Sequence, residues 1–447
     1  MIPCRFCGAA LTEVFADLGV QPLSNSYLHP EQLLEAEAFY PLVAQVCGRC
    51  FLVQVPPVVT PEHLFSDYAY FSSYSDSWLA HARQYARAIT GRLSLGPRSQ
   101  VVEIASNDGY LLQYFRDAGI PVLGIEPAAN IAAVARENGI ETWTKFFGVA
   151  TATEIAGRAD LLVANNVLAH VPDINDFVEG MRIALAPQGT ITIEFPHLMR
   201  LIQHVQFDTI YHEHYSYLSL LTVQQVLAAH GLAVVDVEEL PTHGGSLRVY
   251  AQHAEGDAGF LRSAGFQPAG PPASSRPGDD ARDPAGRMPA DRPAGSRRSV
   301  ESRRSVERIL QDERDLAMDT LEPYRLFDKS VRACKRSLLQ FLIGAREEGK
   351  RVAGYGAPAK ASTLLNYCGA RTDFIDYTVD RSPHKQGRYL PGVRIPIHAP
   401  EELAATRPDY VLVLAWNLRD EILSQMAHVR EWGGRFVIPV PLTEVLA

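Results

Sequence analysis

The 447-residue sequence has no apolar run of the roughly 20 residues needed to cross a bilayer. Its start, Met1-Ile2-Pro3-Cys4, has neither a charged n-region nor an apolar h-region. Nothing there reads as a signal peptide, so the expected compartment is the cytoplasm. An excess of positive charge is missing too. The net charge of −9 excludes a broad phosphate-binding face, leaving room only for a local basic pocket. Cysteine is scarce, with six in the chain, and four of these fall into two C-x-x-C pairs. A chain that is 47% hydrophobic can nevertheless bury a large core and divide into two or three domains.

The pairs are Cys4-Arg5-Phe6-Cys7 and Cys47-Gly48-Arg49-Cys50. A C-x-x-C turn aims two thiolates at one ion, and two such turns complete a tetrahedron. Glycine follows or splits each pair (Gly8, Gly48), allowing a tight backbone. Four thiolates leave no open coordination position, so the expected Zn²⁺ is structural. Cys334 and Cys368 stand alone and suit core packing.

From Gln100 onward, strand, small-residue turn and helix alternate, which predicts an α/β domain with a mostly parallel sheet. Ala233–Glu239 and Ser246–Gln252 are candidates for a closing antiparallel pair. Residues 265–304 are rich in Pro, Gly, Ala, Ser, Arg and Asp, and Ser296–Glu301 repeats as Ser302–Glu307. Such a stretch buries too little apolar surface to offset its ordering entropy. The expected division is therefore a zinc module over 1–70, an α/β domain over 71–260, a disordered insertion over 261–305, and a second α/β domain over 306–447.

The turn Glu103-Ile104-Ala105-Ser106-Asn107-Asp108-Gly109 follows the first central strand, and Glu126 closes the second. Backbone amides in such a turn approach an anionic group, and the acid accepts ribose hydroxyls. The pattern fits a dinucleotide or S-adenosylmethionine, and no full G-x-G-x-x-G marks this turn. Asn165 and His170 follow a later strand, at the edge where open α/β sheets bind ligands; a capping or core role for His170 fits equally. Asp208-Thr209-Ile210-Tyr211-His212-Glu213-His214-Tyr215 concentrates groups that are costly to bury without a role. It lacks zincin spacing, so acid–base chemistry is the expectation. In an extended segment Tyr211, Glu213 and Tyr215 would share one side, with His212 and His214 on the other.

These motifs, together with His243-Gly244-Gly245-Ser246-Leu247-Arg248 and Tyr355-Gly356-Ala357-Pro358-Ala359-Lys360, occur in one order. As an ordered set they resemble the zinc-containing deoxysugar C-methyltransferases, over nearly the whole chain except residues 265–304. The resemblance implies an N-terminal zinc-binding module, a central class I (Rossmann-like) methyltransferase domain and a C-terminal α/β Rossmann-like domain. It implies methyl transfer from S-adenosylmethionine to a carbon beside the ketone of a thymidine-diphosphate-linked 4-keto-deoxysugar. His214 would be the base, with Tyr211, Glu213, His170 and Tyr70 beside it. Glu103, Ala105, Asn107, Asp108, Gly109, Glu126 and Asn165 would hold the donor, and His243, Gly244, Tyr355, Lys360 and Lys385 the substrate. The expected partner is a small nucleotide-sugar, with no nucleic acid or membrane, and the protein itself is expected to be a monomer or weak oligomer. Two departures stand out: Ala105 replaces the family's first turn glycine, and His212 fills the variable position of Y-x-E-H. O- or N-methylation of another metabolite is the nearest rival, and an RNA or protein substrate a further one.

Overall fold

The computed structural model describes residues 2–60, 72–74, 76–254 and 297–446. Each C-x-x-C pair closes the same knuckle. Gly8 N donates to Cys4 O at 2.9 Å and Phe51 N to Cys47 O at 3.0 Å. The residue after the second cysteine is left-handed both times: Gly8 has φ 72° and Phe51 φ 59°. Gly48, expected to relieve the second turn, is not the strained position. Phe51 is, and its ring stacks on Tyr324 with centroids 6.1 Å apart. The four sulfurs lie within 4.8 Å of one another, with Cys4–Cys50 at 3.6 Å and Cys7–Cys47 at 3.5 Å. A tetrahedral zinc with bonds of about 2.3 Å places its sulfurs about 3.8 Å apart, so the cluster fits the ion. Gln54 Nε2 and Arg49 N donate to Cys4 Sγ and Cys47 Sγ at 3.2 and 3.4 Å, as suits thiolate acceptors.

Around the cluster run β1 (Glu13–Gln21), β2 (Tyr40–Val46) and β3 (Val53–Gln54), paired antiparallel in that order. The second sheet contains β4 (Val101–Ile104), β5 (Val122–Ile125), β6 (Thr142–Trp143), β7 (Ala159–Asn165) and β8 (Leu185–Pro196), all parallel. The short β9 (Ser216–Tyr217) comes next, then β10 (Leu232–Leu240) and β11 (Ser246–His253). The sheet order is β10-β11-β8-β7-β4-β5-β6, with β11 antiparallel to both neighbours, which matches the expected closing pair. Val101–Ile104 is buried throughout because helices cover both faces, and it is apolar but for Glu103. β9 does not join this sheet. It pairs antiparallel with β3, Val53 opposite Tyr217 and Gln54 opposite Ser216, and completes the zinc module's sheet. The zinc module thus recruits a strand from far beyond residue 70.

Residues 255–296, most of the low-complexity stretch, lie outside the described residues. The next helix is Arg297–Asp315 and begins nine residues before the expected Val306. Its first turns carry mostly Arg, Ser and Glu with the single apolar Val300, which concealed them; Val306, Ile309, Leu310 and Glu313 bury the rest. A second helix, Glu322–Glu347, starts with Pro323 in its first turn, where the missing N–H costs nothing. Phe327 on it stacks on Phe15 of β1 at 4.3 Å, so the zinc module and the C-terminal domain share one core. The third sheet consists of β12 (Val352–Tyr355), β13 (Thr378–Val379), β14 (Ile397–His398), β15 (Tyr410–Val413), β16 (Arg435–Ile438) and β17 (Glu444–Leu446). Its order is β14-β13-β12-β15-β16-β17, parallel except for β17.

If the thiolates hold zinc, purified protein should contain one equivalent by metal analysis. Cys47→Ser should lose it and melt at a markedly lower temperature, because metal binding is linked to folding. A well-folded parent free of zinc would contradict this.

Candidate active site

The parallel register puts the carboxyl ends of β4, β5 and β7 on one edge, with Ile104 opposite Ile125 and Glu103 opposite Val163. The turn after β4 is tight: Ala105, Asn107 and Gly109 have φ of 54°, 50° and 81°. A Cβ on Gly109 would meet Ile140 Cγ1 at 2.9 Å, so this position needs glycine. Glu126 ties the turn to β5 by accepting Asn107 N at 3.0 Å and Ala128 N at 2.9 Å. Burial raises its pKa against the pull of those two bonds. Asp108 accepts Ser73 N at 3.1 Å.

Glu103 Oε2, Asp108 Oδ1, Asn165 Oδ1 and Asn166 Oδ1 are buried acceptors without a hydrogen-bond partner among the described residues. Buried acceptors without donors are costly, and so many at one edge call for a ligand rich in donors. An ammonium group and ribose hydroxyls are such donors, so the edge fits S-adenosylmethionine. Beside it, Trp78 packs on His81, Tyr110 and His243. Arg248 pairs with buried Glu194 at 2.9 Å. Sequence reading gave Trp78, His81 and Glu194 no role, because their approach is made only by folding.

The histidine cluster is a turn, not a strand. His214 N donates to Tyr211 O at 2.9 Å, which brings residues three apart together. The Tyr211 and His214 rings therefore lie 4.0 Å apart instead of on opposite sides. His214 Nδ1 donates to Thr209 O at 3.0 Å, and His170 Nδ1 to Glu213 O at 2.8 Å. A carbonyl only accepts, so both rings carry the Nδ1 proton and the other His214 nitrogen, Nε2, is the basic one. The two rings meet at 4.7 Å. Burial, then the neighbouring His170, holds the His214 pKa well below 6.5. Burial likewise lowers His170 to about 4, and His243, though its side chain reaches solvent, is lowered in the same direction.

Glu213 and His212 face elsewhere. Glu213 accepts Asn25 Nδ2 at 2.9 and 2.8 Å on its two oxygens, and burial lifts its pKa to about 7. It serves His170 through its main-chain carbonyl. His212 Nε2 donates to Pro41 O at 3.2 Å in the zinc module, away from the base. Tyr70 lies outside the described residues.

The C-terminal domain reaches into the same region. Lys360 Nζ donates to Asn417 Oδ1 at 2.7 Å and sits 4.4 Å from the Trp416 ring centroid. Burial lowers its pKa to about 8, against the attraction of Asp208. Gly244, with φ 86°, passes so close that a Cβ would meet Gln206 Nε2 at 2.7 Å and the Trp416 ring at 3.0 Å. The other expected substrate residues are set apart. Lys385 Nζ donates to Ala357 O at 3.0 Å. Tyr355 lines a groove of ≈450 Å³ with Arg381, Gln386 and Glu401 at the C-terminal sheet's own edge.

Three family models match the chain: "Putative zinc binding domain" over residues 4–65, "Methyltransferase domain" over 78–237, and "C-methyltransferase C-terminal domain" over 288–441. C-methyltransferase NovU of Streptomyces niveus is 35% identical over 447 residues, covering 99% of this chain and 96% of that protein. This chain belongs to the zinc-containing, S-adenosylmethionine-dependent C-methyltransferases. Ubiquinone biosynthesis O-methyltransferase of Bordetella avium is 31% identical over 97 residues, 21% of this chain and 40% of that protein. Among solved structures, 1,6-didemethyltoxoflavin-N1-methyltransferase of Burkholderia thailandensis aligns at 19% identity with a TM-score of 0.34, covering 46% of this chain and 96% of that one. The C-methyltransferase uses S-adenosylmethionine and carries a zinc site. Among its described residues no helix is long and apolar enough to cross a membrane.

Ala105 occupies a left-handed conformation that costs a non-glycine residue about 1–2 kcal/mol. Ala105→Gly should therefore leave stability unchanged or raise it by up to ~1 kcal/mol, after the glycine's larger unfolded-state entropy is subtracted. Ala105→Val should lower it. Thermal unfolding of both variants checks this, and a clearly destabilised Ala105→Gly would count against backbone strain here.

Proposed function

We propose that the enzyme methylates a carbon beside the ketone of a nucleotide-linked 4-keto-deoxysugar, with thymidine diphosphate as the nucleotide and His214 as the base. The observation that supports the base is the bond from His214 Nδ1 to Thr209 O, which leaves a basic Nε2 on a half-buried, uncharged imidazole. A hydrogen next to a ketone is only weakly acidic, so its removal needs a positioned base and support for the enolate oxygen. The carbon–hydrogen bond breaks, its proton passes to Nε2, and the electron pair moves to the carbonyl oxygen. Tyr211, packed on the base, supplies the phenol that stabilises that oxygen, together with Tyr70.

Bound S-adenosylmethionine supplies the electrophilic methyl group. Glu126 would accept its ribose hydroxyls, while Glu103, Asp108 and Asn165 would accept from its ammonium group, with Ala105, Asn107 and Gly109 lining the turn beneath. His170, turned by the Glu213 carbonyl, borders the reacting carbon. His243, Gly244 and Lys360 border the sugar, and Tyr355 and Lys385 hold the nucleotide.

Incubation with labelled donor and a panel of nucleotide-linked 4-keto-deoxysugars, followed by mass spectrometry, should locate the methyl beside the ketone. Methylation of oxygen or nitrogen only would reject the proposal. His214→Asn should lower turnover by about 10²–10⁴-fold with near-parental donor affinity. It should also abolish hydrogen–deuterium exchange at the substrate carbon. Full turnover in that variant would move the base elsewhere, first to His170.

The pH profile is a separate check. A histidine held well below 6.5 stays deprotonated at neutral pH and loses its lone pair only on further acidification. The acid limb of kcat should therefore lie below pH 6.5. Sensitivity of that limb to His214→Asn should distinguish it from Asp208, which burial raises to about 6.

A further inference from the structure

We infer that Trp416 and Asp208 are positioning residues through which the C-terminal domain sets the orientation and tautomer of the base. The inference rests on the reading of His214 as that base and adds what holds it. Trp416 lies just beyond β15, and its indole N–H donates to Asp208 Oδ2 at 2.6 Å. Asp208 is fully buried in the 3₁₀ turn Phe207–Thr209, where Lys360 attracts its carboxylate and the turn's own amides, of Asp208 and Thr209, also bear on it. The last residue of that turn is Thr209, whose carbonyl receives His214 Nδ1.

The path from the C-terminal domain to the imidazole is thus one indole, one carboxylate and one peptide carbonyl. A second tether runs alongside, since Thr363 Oγ1 donates to Ile210 O at 3.1 Å. The indole is itself fixed by Lys360 over its ring, with the ammonium bound to Asn417.

The physics makes the pair interdependent. A buried carboxylate is costly unless hydrogen-bonded, so Asp208 needs the indole for the turn to keep its shape. An imidazole in water exchanges its proton between both nitrogens. A carbonyl held opposite Nδ1 selects one tautomer and leaves the lone pair on Nε2. Removing the indole N–H frees the turn, and with it the carbonyl. His170, His243 and Lys360 bear electrostatically on His214, and the Tyr211 and Tyr217 rings pack near it. None of these supplies the acceptor that Nδ1 uses.

Trp416→Phe keeps an aromatic ring near Lys360 and removes the donor along with part of the indole's bulk. It should lower kcat by on the order of 10- to 100-fold, the scale of small misplacements of catalytic groups. Donor affinity should stay near the parent's. Nitrogen-15 spectra of histidine-labelled protein should show His214 moving from the Nδ1–H form towards a mixture with Nε2–H. Asp208→Ala should do the same, and Asp208→Asn, which keeps an acceptor oxygen, should recover most of what Asp208→Ala loses. This second comparison decides the matter if Trp416→Phe does not fold.

Parental kcat with an unchanged tautomer in Trp416→Phe or Asp208→Ala would overturn the inference. A loss of donor affinity as large as the loss of rate would also overturn it, because that marks general damage. Failure of the base reading is distinguishable: His214→Asn would then keep its turnover, whatever the tautomer spectra show.

Discussion

Pairing of Ser216–Tyr217 with Val53–Gln54 joins the zinc cluster to the histidine turn. The thiolates of Cys47 and Cys50 close the knuckle from which β3 emerges, and β3 receives β9 by backbone hydrogen bonds. The histidine turn ends where β9 begins, so its exit is fixed by a metal site that takes no part in the chemistry. A small sheet without the ion would have little core of its own, which is why a staple is needed here. The metal, in this view, contributes geometry to the active site at a distance of one short strand.

All three domains grip the turn from residue 208 to residue 215. The zinc module supplies Asn25 to Glu213 and Pro41 to His212. The central domain supplies His170 to the Glu213 carbonyl and accepts Tyr215 N at Ala169 O. The C-terminal domain supplies Trp416 to Asp208 and Thr363 to Ile210. Each backbone group so used is one fewer unpaired polar atom in a buried loop, and the sum is rigidity without regular structure. For the proposed base, that rigidity would fix its distance to the substrate carbon.

Burial has opposite effects on the acids and the bases here. It pushes His214, His170 and His243 towards the neutral form, and it raises Glu103, Glu126, Glu213 and Asp208. The stability that neutral His170 contributes is full above its unfolded value of 6.5 and is lost as pH falls towards about 4. The raised acids act with the opposite sign: their stability is full at low pH and lost as pH rises through their folded values. The centre is therefore balanced near neutrality by opposed desolvation costs, with Lys360 as the buried cation among them.

Local sequence alone determined a good deal. Two C-x-x-C pairs imply one tetrahedral site, since thiol chemistry and spacing leave few other uses. Strand, small-residue turn and helix in alternation imply parallel sheets, because buried strands are apolar on both faces. That the acid after β5 meets the turn after β4 was legible because both close neighbouring parallel strands. Other features were decided only in three dimensions. The helix start at Arg297 has no apolar period, so its first turns were invisible. The left-handed Phe51 was missed because glycine is the usual signal, and here ring packing offsets the strain. Reading the histidine cluster as extended put Tyr211 and His214 on opposite sides, whereas a turn, closed by one backbone bond, stacks them. Trp416 stands 208 positions from Asp208 and carries no motif. Its role depends on a hydrogen bond between domains, which only the packing of the C-terminal domain on the others can form.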